Sequence, residues 1–324
     1  MNRILIIQTA FIGDVILATG LLESVKKKYP LAKVDFLLRK GNEGLLKGNP
    51  NVNEVIVWDK RSGKYSNLRK IAKEVRESNY DLVINLQRFA SSGYITWRSK
   101  AKLKVGFDKN PFAFCYDYKV HHVIDGDKHE IERNFDLLKA IDSGFELERP
   151  QLYPSNEAFD KVDAIADNKP YLVMAPASVW YTKQLPKEKW MELIRYQDPA
   201  FTIYLIGGKG DKTLLDEVIK GSGSEKAINL SGELDLLESA ALISAAKMTY
   251  VNDSAPLHLA SAMDAPVTAF FCSTIPGFGF GPLSTSRRIV ETSEKLDCRP
   301  CGLHGKKECP KGHFKCGNTI DVTI

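Results

Sequence analysis

Three short stretches of this chain carry the side chains best suited to chemistry. In Asn252-Asp253-Ser254-Ala255-Pro256-Leu257-His258 an apolar, strand-like run gives way to a helical one. Asp253 can cap that helix, and the first-turn amides of Ser254 and Ala255 can meet an anion. Pro256 suits a first turn, and His258 shares a helical face with Ser254, where it either reaches a ligand or packs on a sheet. In residues 175–186, Ser178 and Thr182 offer hydroxyls and Lys183 a cation, a set suited to a diphosphate, although a solvated surface loop has the same composition. In residues 9–14, Gly13 permits a sharp turn and Asp14 stands where a helix begins. There Asp14 is either an N-cap, the simpler account on local sequence, or a general base that takes a proton from an attacking hydroxyl.

Regular elements have to hold these positions. Short aliphatic or β-branched runs alternate with stretches of helical spacing, which is the pattern of βαβ units in parallel sheets, and the pattern occurs twice. The first half predicts strands over 3–8, 33–38, 54–58, 81–85 and 104–107, with helices over 14–28, 65–78, 91–99 and 130–141. A polar stretch over 150–169, with one short helical segment, reads as a linker. Beyond it, strands are expected over 171–175, 202–206, 227–230, 248–252 and 267–271, and helices over 187–196, 212–221, 234–246 and 254–263. The expectation is an α/β protein with domains 1–155 and 156–324 and a cleft at the carboxyl ends of two parallel sheets, where such folds bind ligands. Arg39-Lys40, Arg88 and Arg98 follow or flank first-domain strands and could meet acidic sugars or phosphates, Arg88 foremost because it lies three residues past a strand.

Length and composition narrow the classes. A chain of 324 residues, 44% hydrophobic and 26% charged, exceeds what one core commonly serves and is neither disordered nor fibrous. The formal charge of +5 comes from short clusters such as Lys26-Lys27-Lys28, which favours anionic partners without indicating nucleic acid. No apolar run is long enough for a signal peptide or a membrane span, so a cytoplasmic location is expected. Gly207-Gly208-Lys209-Gly210-Asp211 follows a strand, but Thr213 occupies the last position of the dinucleotide fingerprint. No phosphate-loop Gly-Lys-Ser or Gly-Lys-Thr follows a strand, and His129-Glu130 has no second histidine to complete a zinc-protease motif.

Four of the six cysteines, Cys298, Cys301, Cys309 and Cys316, crowd into the tail. Four thiolates with one Cys-x-x-Cys pair are a reasonable zinc-ligand set. The later spacings are loose for a zinc ribbon, so reduced structural thiols are the expected state and no cofactor is assigned.

Together these segments resemble glycosyltransferase family 9, which includes the ADP-heptose:lipopolysaccharide heptosyltransferases. Residues 12–19 resemble its N-terminal motif, 178–190 its phosphate-binding loop, and Asn252-Asp253-Ser254 with His258 its most characteristic motif. Cys298-Arg299-Pro300-Cys301 with Cys309-Pro310 and Cys316 resembles the tail of the second-heptose branch, and His129 to Arg133 resembles a segment near the acceptor side. The resemblance implies a GT-B fold of two Rossmann-like domains, with acceptor bound mainly by the first and nucleotide sugar by the second. It implies Asp14 as the base, and Lys183, helped by Ser178 and Thr182, as the group that neutralises the departing diphosphate. Gly13, Gly207, Asp253, Ser254, Ala255 and His258 would join them around the donor, and Arg88 and Arg98 would meet the acceptor. Inversion without a catalytic metal, an ADP-heptose donor, an anionic glycan or glycolipid acceptor and peripheral contact with the inner membrane follow from the same likeness. The chain departs from the family at Ala255, where glycine is usual, and at Pro256. A nucleotide-sugar epimerase or hydrolase, and a non-catalytic nucleotide-sugar binder, are the alternatives.

Overall fold

A computed structural model describes residues 1–124, 126 and 128–323. The chain divides into two units, Met1–Tyr153 and Pro154–Ile324. In the first unit, five runs dominated by aliphatic or aromatic residues form β1 (Arg3–Ile7), β2 (Lys33–Arg39), β3 (Glu54–Trp58), β4 (Leu82–Asn85) and β5 (Leu103–Phe107), and a short β6 (Tyr118–Val120) completes the sheet. All six strands run parallel in the order β3-β2-β1-β4-β5-β6. Ile4 to Ile7 of β1 are fully buried, as expected of a central strand covered on both faces. Helices α1 (Ile12–Lys28), α2 (Lys64–Glu77), α3 (Ala90–Arg98) and α4 (Glu130–Ile141) lie between or after these strands.

The second unit repeats the plan. Helix α5 (Asn156–Ala166) opens it, with the Ser155 hydroxyl accepting from the Ala158 amide. Strands β7 (Tyr171–Ala175), β8 (Thr202–Leu205), β9 (Ala227–Asn229), β10 (Met248–Asn252), β11 (Val267–Phe271) and β12 (Arg287–Glu291) pair in parallel in the order β12-β11-β10-β7-β8-β9. Helices α6 (Lys187–Tyr196), α7 (Lys212–Ser222), α8 (Leu236–Ser244) and α9 (Ala255–Ala262) connect them, and α10 (Lys315–Asn318) lies in the tail. Counted from its first strand, this is the 3-2-1-4-5-6 order of the first unit. Each sheet therefore reverses direction once, between β1 and β4 and between β7 and β10, and the carboxyl ends of those pairs form a ligand crevice.

The expected α/β organisation is found, but β6, β12 and the short α10 were not expected, and the start of α1 differs in a way that bears on the site. Strands β6 and β12 are edge strands whose residues are largely exposed and polar, so they lack the apolar run that marks an inner strand. Helix α1 begins at Ile12 rather than at Asp14, with Phe11 as N-cap. Gly13 thus lies inside the first turn and is not in the left-handed region, so it makes no sharp turn. Asp14 is the third helical residue, and its Oδ2 accepts the Phe11 amide at 3.1 Å. Among the described residues no helix is long and apolar enough to cross a membrane.

Candidate active site

In the second unit the switch point joins the loop after β7 to the end of β10. Asn252 is fully buried and all of its amide is spent on that join: Oδ1 accepts from the Leu185 amide at 2.8 Å, and Nδ2 donates to the Pro176 carbonyl at 2.7 Å. It fixes the loop and leaves ligand contact to its neighbours. Asp253 does not cap α9; Ser254, in extended conformation, occupies the N-cap. The Asp253 carboxylate instead takes the Lys183 ammonium at 2.6 Å and the Thr274 hydroxyl at 2.6 Å, both on Oδ2. Lys183 and Asp253, distant in sequence, are thereby held together beside the first turn of α9. Because Pro256 lacks an N–H, the amides of Ser254 and Ala255 are the donors that this helix start can offer an anion, and the helix dipole adds to their pull.

Other expected donor residues are placed differently. Thr182 is 1% exposed, and its hydroxyl accepts from Ser273 Oγ at 2.9 Å and from the Lys306 amide at 2.8 Å. It holds the tail against the loop, so its hydroxyl is not offered to a phosphate. Ser178 is half-buried in the same loop, and its carbonyl takes the Gln184 side-chain amide. His258 is 5% exposed and packs edge-to-face toward Phe280, with ring centroids 6.4 Å apart. Gly207 lies past β8, where its carbonyl takes the Gly232 amide at 2.9 Å. A cavity of about 350 Å³ lies against Tyr181, Gln184, Trp190 and Phe314, but Lys183, Asp253 and Ser254 do not line it.

In the first unit, Asp14 in the first turn of α1 and Arg88 in the segment after β4 both act on the charge of Glu130. Glu130 opens α4, whose N-cap His129 forms a capping box with Glu132: the His129 amide donates to Glu132 Oε2 at 2.7 Å. That cap fixes Glu130 and Arg133 one turn apart, and both are buried. Arg133 Nε donates to Glu130 Oε2 at 2.8 Å, and His122 Nε2 lies 3.9 Å from the same oxygen. Burial pushes the Glu130 carboxyl up; Arg133 opposes that shift and the Asp14 charge adds to it. Burial first, then Arg88, Arg133 and Lys109, pull the His122 imidazole down to about 4. The result is a charge network of two acids, two arginines and a neutral histidine at the crevice. Arg98 is not part of it: it ends the nine-residue α3, which begins two residues after Arg88, and lies over the Trp97 ring.

A second cationic group at this edge went unread in the sequence. Lys60 Nζ donates to the Thr9 carbonyl at 2.7 Å and Thr9 Oγ1 at 3.2 Å, which pins it to the loop that leads into α1. Burial, then the charges of Arg39 and Lys64, pull its pKa down to about 8. Arg39, flagged as following a strand, stacks its guanidinium 4.7 Å from the Phe11 ring centroid. Lys60 gave no signal, and Glu130 stood out only within the His129 to Arg133 segment that resembles the family: each is an ordinary charge in a loop or at a helix start until the fold brings its neighbours in.

The tail is built into the second unit. Cys316 is buried in the core with Leu185 and Ile320, and Cys309 packs against the same cluster. Cys301 Sγ donates to the Cys298 carbonyl at 3.1 Å, and Cys298 Sγ lies 3.9 Å from His313 Nε2. Burial first, then the neighbouring Cys301 and Cys309, push the Cys316 thiol up to about 11, with Arg299 opposing and Cys298 adding a smaller share. Among the described residues no group of three or more His, Cys, Asp or Glu has a geometry that would hold a metal ion.

Comparison with known proteins bears on the family and the fold. The glycosyltransferase family 9 (heptosyltransferase) profile matches residues 68–312. Lipopolysaccharide heptosyltransferase 3 of Escherichia coli K12 is 27% identical over 283 residues, covering 81% of this chain and 80% of that protein. The solved glycosyl transferase family 9 protein of Veillonella parvula superposes with a TM-score of 0.81 at 22% identity, covering 89% of this chain and 85% of the other. ADP-heptose LPS heptosyltransferase II of E. coli superposes with a TM-score of 0.77 at 21% identity, covering 92% and 95%. The chain belongs to glycosyltransferase family 9, the heptosyltransferase family, and is a glycosyltransferase of GT-B fold.

Proposed function

We propose that the enzyme is an inverting heptosyltransferase, which moves heptose from ADP-heptose to the lipopolysaccharide core or a related surface glycan. Asp14, at the β1 end of the first unit, removes the proton from the acceptor hydroxyl. The hydroxyl oxygen bonds to the anomeric carbon as the bond from that carbon to the diphosphate breaks, and the leaving group carries away the electron pair. Lys183 and the start of α9 take up the charge that develops on the diphosphate, so neutralisation needs no divalent ion. Asp253 works as a positioning residue that holds Lys183 by its ammonium. On the acceptor side, Arg88, Lys60 and Arg39 suit an anionic glycan, and this group fits the lipopolysaccharide named for the relatives.

The observation that carries this reading is the Lys183–Asp253 pair, 2.6 Å apart beside the first turn of α9 at a switch point, in a chain of this family. The decisive experiment incubates the enzyme with ADP-, UDP- and GDP-linked sugars, follows thermal shift, and then looks for transfer product. ADP-heptose should stabilise the fold and yield product. Stabilisation by every nucleotide sugar with product from none would instead favour a non-catalytic binder. In the same assay Asp14→Asn should lower turnover by ~10²–10⁴-fold, because asparagine still accepts the Phe11 amide but is no base. A variant that turns over at the wild-type rate would remove Asp14 from that role.

A further inference from the structure

Arg299 has no part in the transfer steps above, yet its hydrogen bonds lead to the donor site. In Cys298-Arg299-Pro300-Cys301 it stands between two cysteines, and on local sequence it is one more cation of the tail. The fold brings it back onto the loop that leaves the carboxyl end of β11. Arg299 Nε donates to the Cys272 carbonyl at 2.6 Å, and Nη2 donates to the carbonyls of Thr274 at 2.8 Å and Phe271 at 3.1 Å. The carbonyl that these bonds skip, that of Ser273, accepts the Cys301 amide at 3.0 Å. Four successive carbonyls, Phe271 to Thr274, are thus bonded to Arg299 or Cys301. All four residues are buried, where backbone carbonyls take protein partners in place of water.

The loop held in this way reaches the cation of the donor site by two routes. Ser273 Oγ donates to Thr182 Oγ1 at 2.9 Å and the Ser273 amide to the Thr182 carbonyl at 3.2 Å, and Thr182 directly precedes Lys183. Thr274 Oγ1 donates at 2.6 Å to Asp253 Oδ2, the oxygen that also takes the Lys183 ammonium. One route ends at the Lys183 backbone and the other at the tip of its side chain. Carbonyls that lie in several directions call for a planar fork of donors, and a lysine ammonium on its flexible stem does not reproduce that fixed spread. The charge of the fork is met by Glu291, the last residue of β12, whose carboxylate pairs with Nη2. Arg299 is therefore spent on the protein and is not itself a cation for the diphosphate.

We propose that Arg299 is a positioning residue of the donor site: it sets the loop after β11 and, through Ser273 and Thr274, aims the Lys183 ammonium at the leaving diphosphate. The proposal rests on the reading of Lys183 as the group that takes up the diphosphate charge.

The test measures transfer by Arg299→Ala and Arg299→Lys, each with Lys183 intact and with Lys183→Ala, after thermal melting has shown which variants fold. With Lys183 intact, both should lower kcat/KM for the donor by ~10–10²-fold, the scale of a misplacement near 1 Å. Acceptor KM should not move, because the proposed acceptor residues lie in the first unit. Added guanidinium ion, kept below denaturing concentrations, should restore part of the Arg299→Ala loss where ammonium ion does not. In the Lys183→Ala background the same substitutions should cost little more. Wild-type donor kinetics in a folded Arg299→Ala overturns the proposal. So does an equal loss in both Lys183 backgrounds, or a change in acceptor KM as large as the loss at the donor. If Arg299→Ala does not fold, Arg299→Lys decides by the same criteria; failure of both to fold assigns the residue to stability and overturns the proposal as well. Lys183→Ala at the wild-type rate removes the cation reading itself, whereas a defective Lys183→Ala beside an unimpaired Arg299→Ala removes the positioning role alone.

Discussion

Gly305→Ala tests whether the cysteine tail sets the position of the cation at the donor site. A Cβ built on Gly305 lies 2.6 Å from Lys183 Cγ, 3.0 Å from its Cδ and 2.5 Å from Trp180 Cβ. Carbon atoms pack at about 3.5–4.0 Å, so the lysine stem must retreat by roughly 1 Å. Gly305 is not in the left-handed region, so alanine adds no backbone strain and the perturbation is steric alone. The loop cannot simply follow, because Thr182 is bonded to both the amide and the carbonyl of Lys306. A 1 Å retreat takes Lys183 Nζ from 2.6 Å to beyond hydrogen-bond range of Asp253. Misplacement on this scale costs up to ~10²-fold in rate, with overpacking of ~1–3 kcal/mol in stability. The assay is kcat/KM toward the nucleotide-sugar donor in the four members of a Gly305→Ala and Lys183→Ala cycle. If the tail acts through Lys183, Gly305→Ala should be severe in the wild-type background and add little once Lys183 is alanine. Equal losses in both backgrounds, or a single variant of wild-type activity, would refute the reasoning. A Lys183→Ala variant that is itself fully active would point to a failure of the donor-site reading instead.

Three further outcomes follow from the site. Thr274→Val removes the hydroxyl that donates to Asp253 at 2.6 Å and should raise the donor KM several-fold, with Thr274→Ser restoring it; equal behaviour of the two variants would show that the hydroxyl does nothing there. The ammonium of Lys60 titrates near pH 8, so affinity for an anionic acceptor should fall as pH rises through 8, and Lys60→Arg should remove that limb; an unchanged profile in Lys60→Arg would exclude the residue. His122 is held neutral in the fold, with its pKa lowered from 6.5 to about 4, whereas the unfolded chain takes up a proton near 6.5. Stability should therefore be full above pH 6.5 and decline as pH falls from 6.5 toward 4, and denaturant titrations of His122→Gln should show a flatter decline over that window.

The inner strands were legible because a strand covered on both faces must be apolar throughout, and β7, β10 and β11 begin and end where their residues predict. The edge strands β6 and β12 were not, since one side of each meets solvent and their residues read as loop. His129 to Arg133 stood out only by its likeness to the family, and nothing local tells that His129 caps α4 or that Glu130 is buried beside His122 and feels Asp14 and Arg88, which arrive from three separate segments.

The sequence by itself determined the two βαβ series, and with them which segments end at the carboxyl side of a parallel strand, because periodicity and turn chemistry are local. Asp14, Arg88, Lys183 and Asp253 were all found that way. The tertiary structure alone decided what each polar group does once there. Asn252 and Thr182 spend their hydrogen bonds on the loop and the tail, Asp253 turns from capping a helix to holding Lys183, and Arg98 leaves the crevice for an aromatic face. The physical reason is that one carboxylate or hydroxyl can cap, bind or catalyse with equal ease. Its choice depends on which partners the rest of the chain brings within about 3 Å and shields from water.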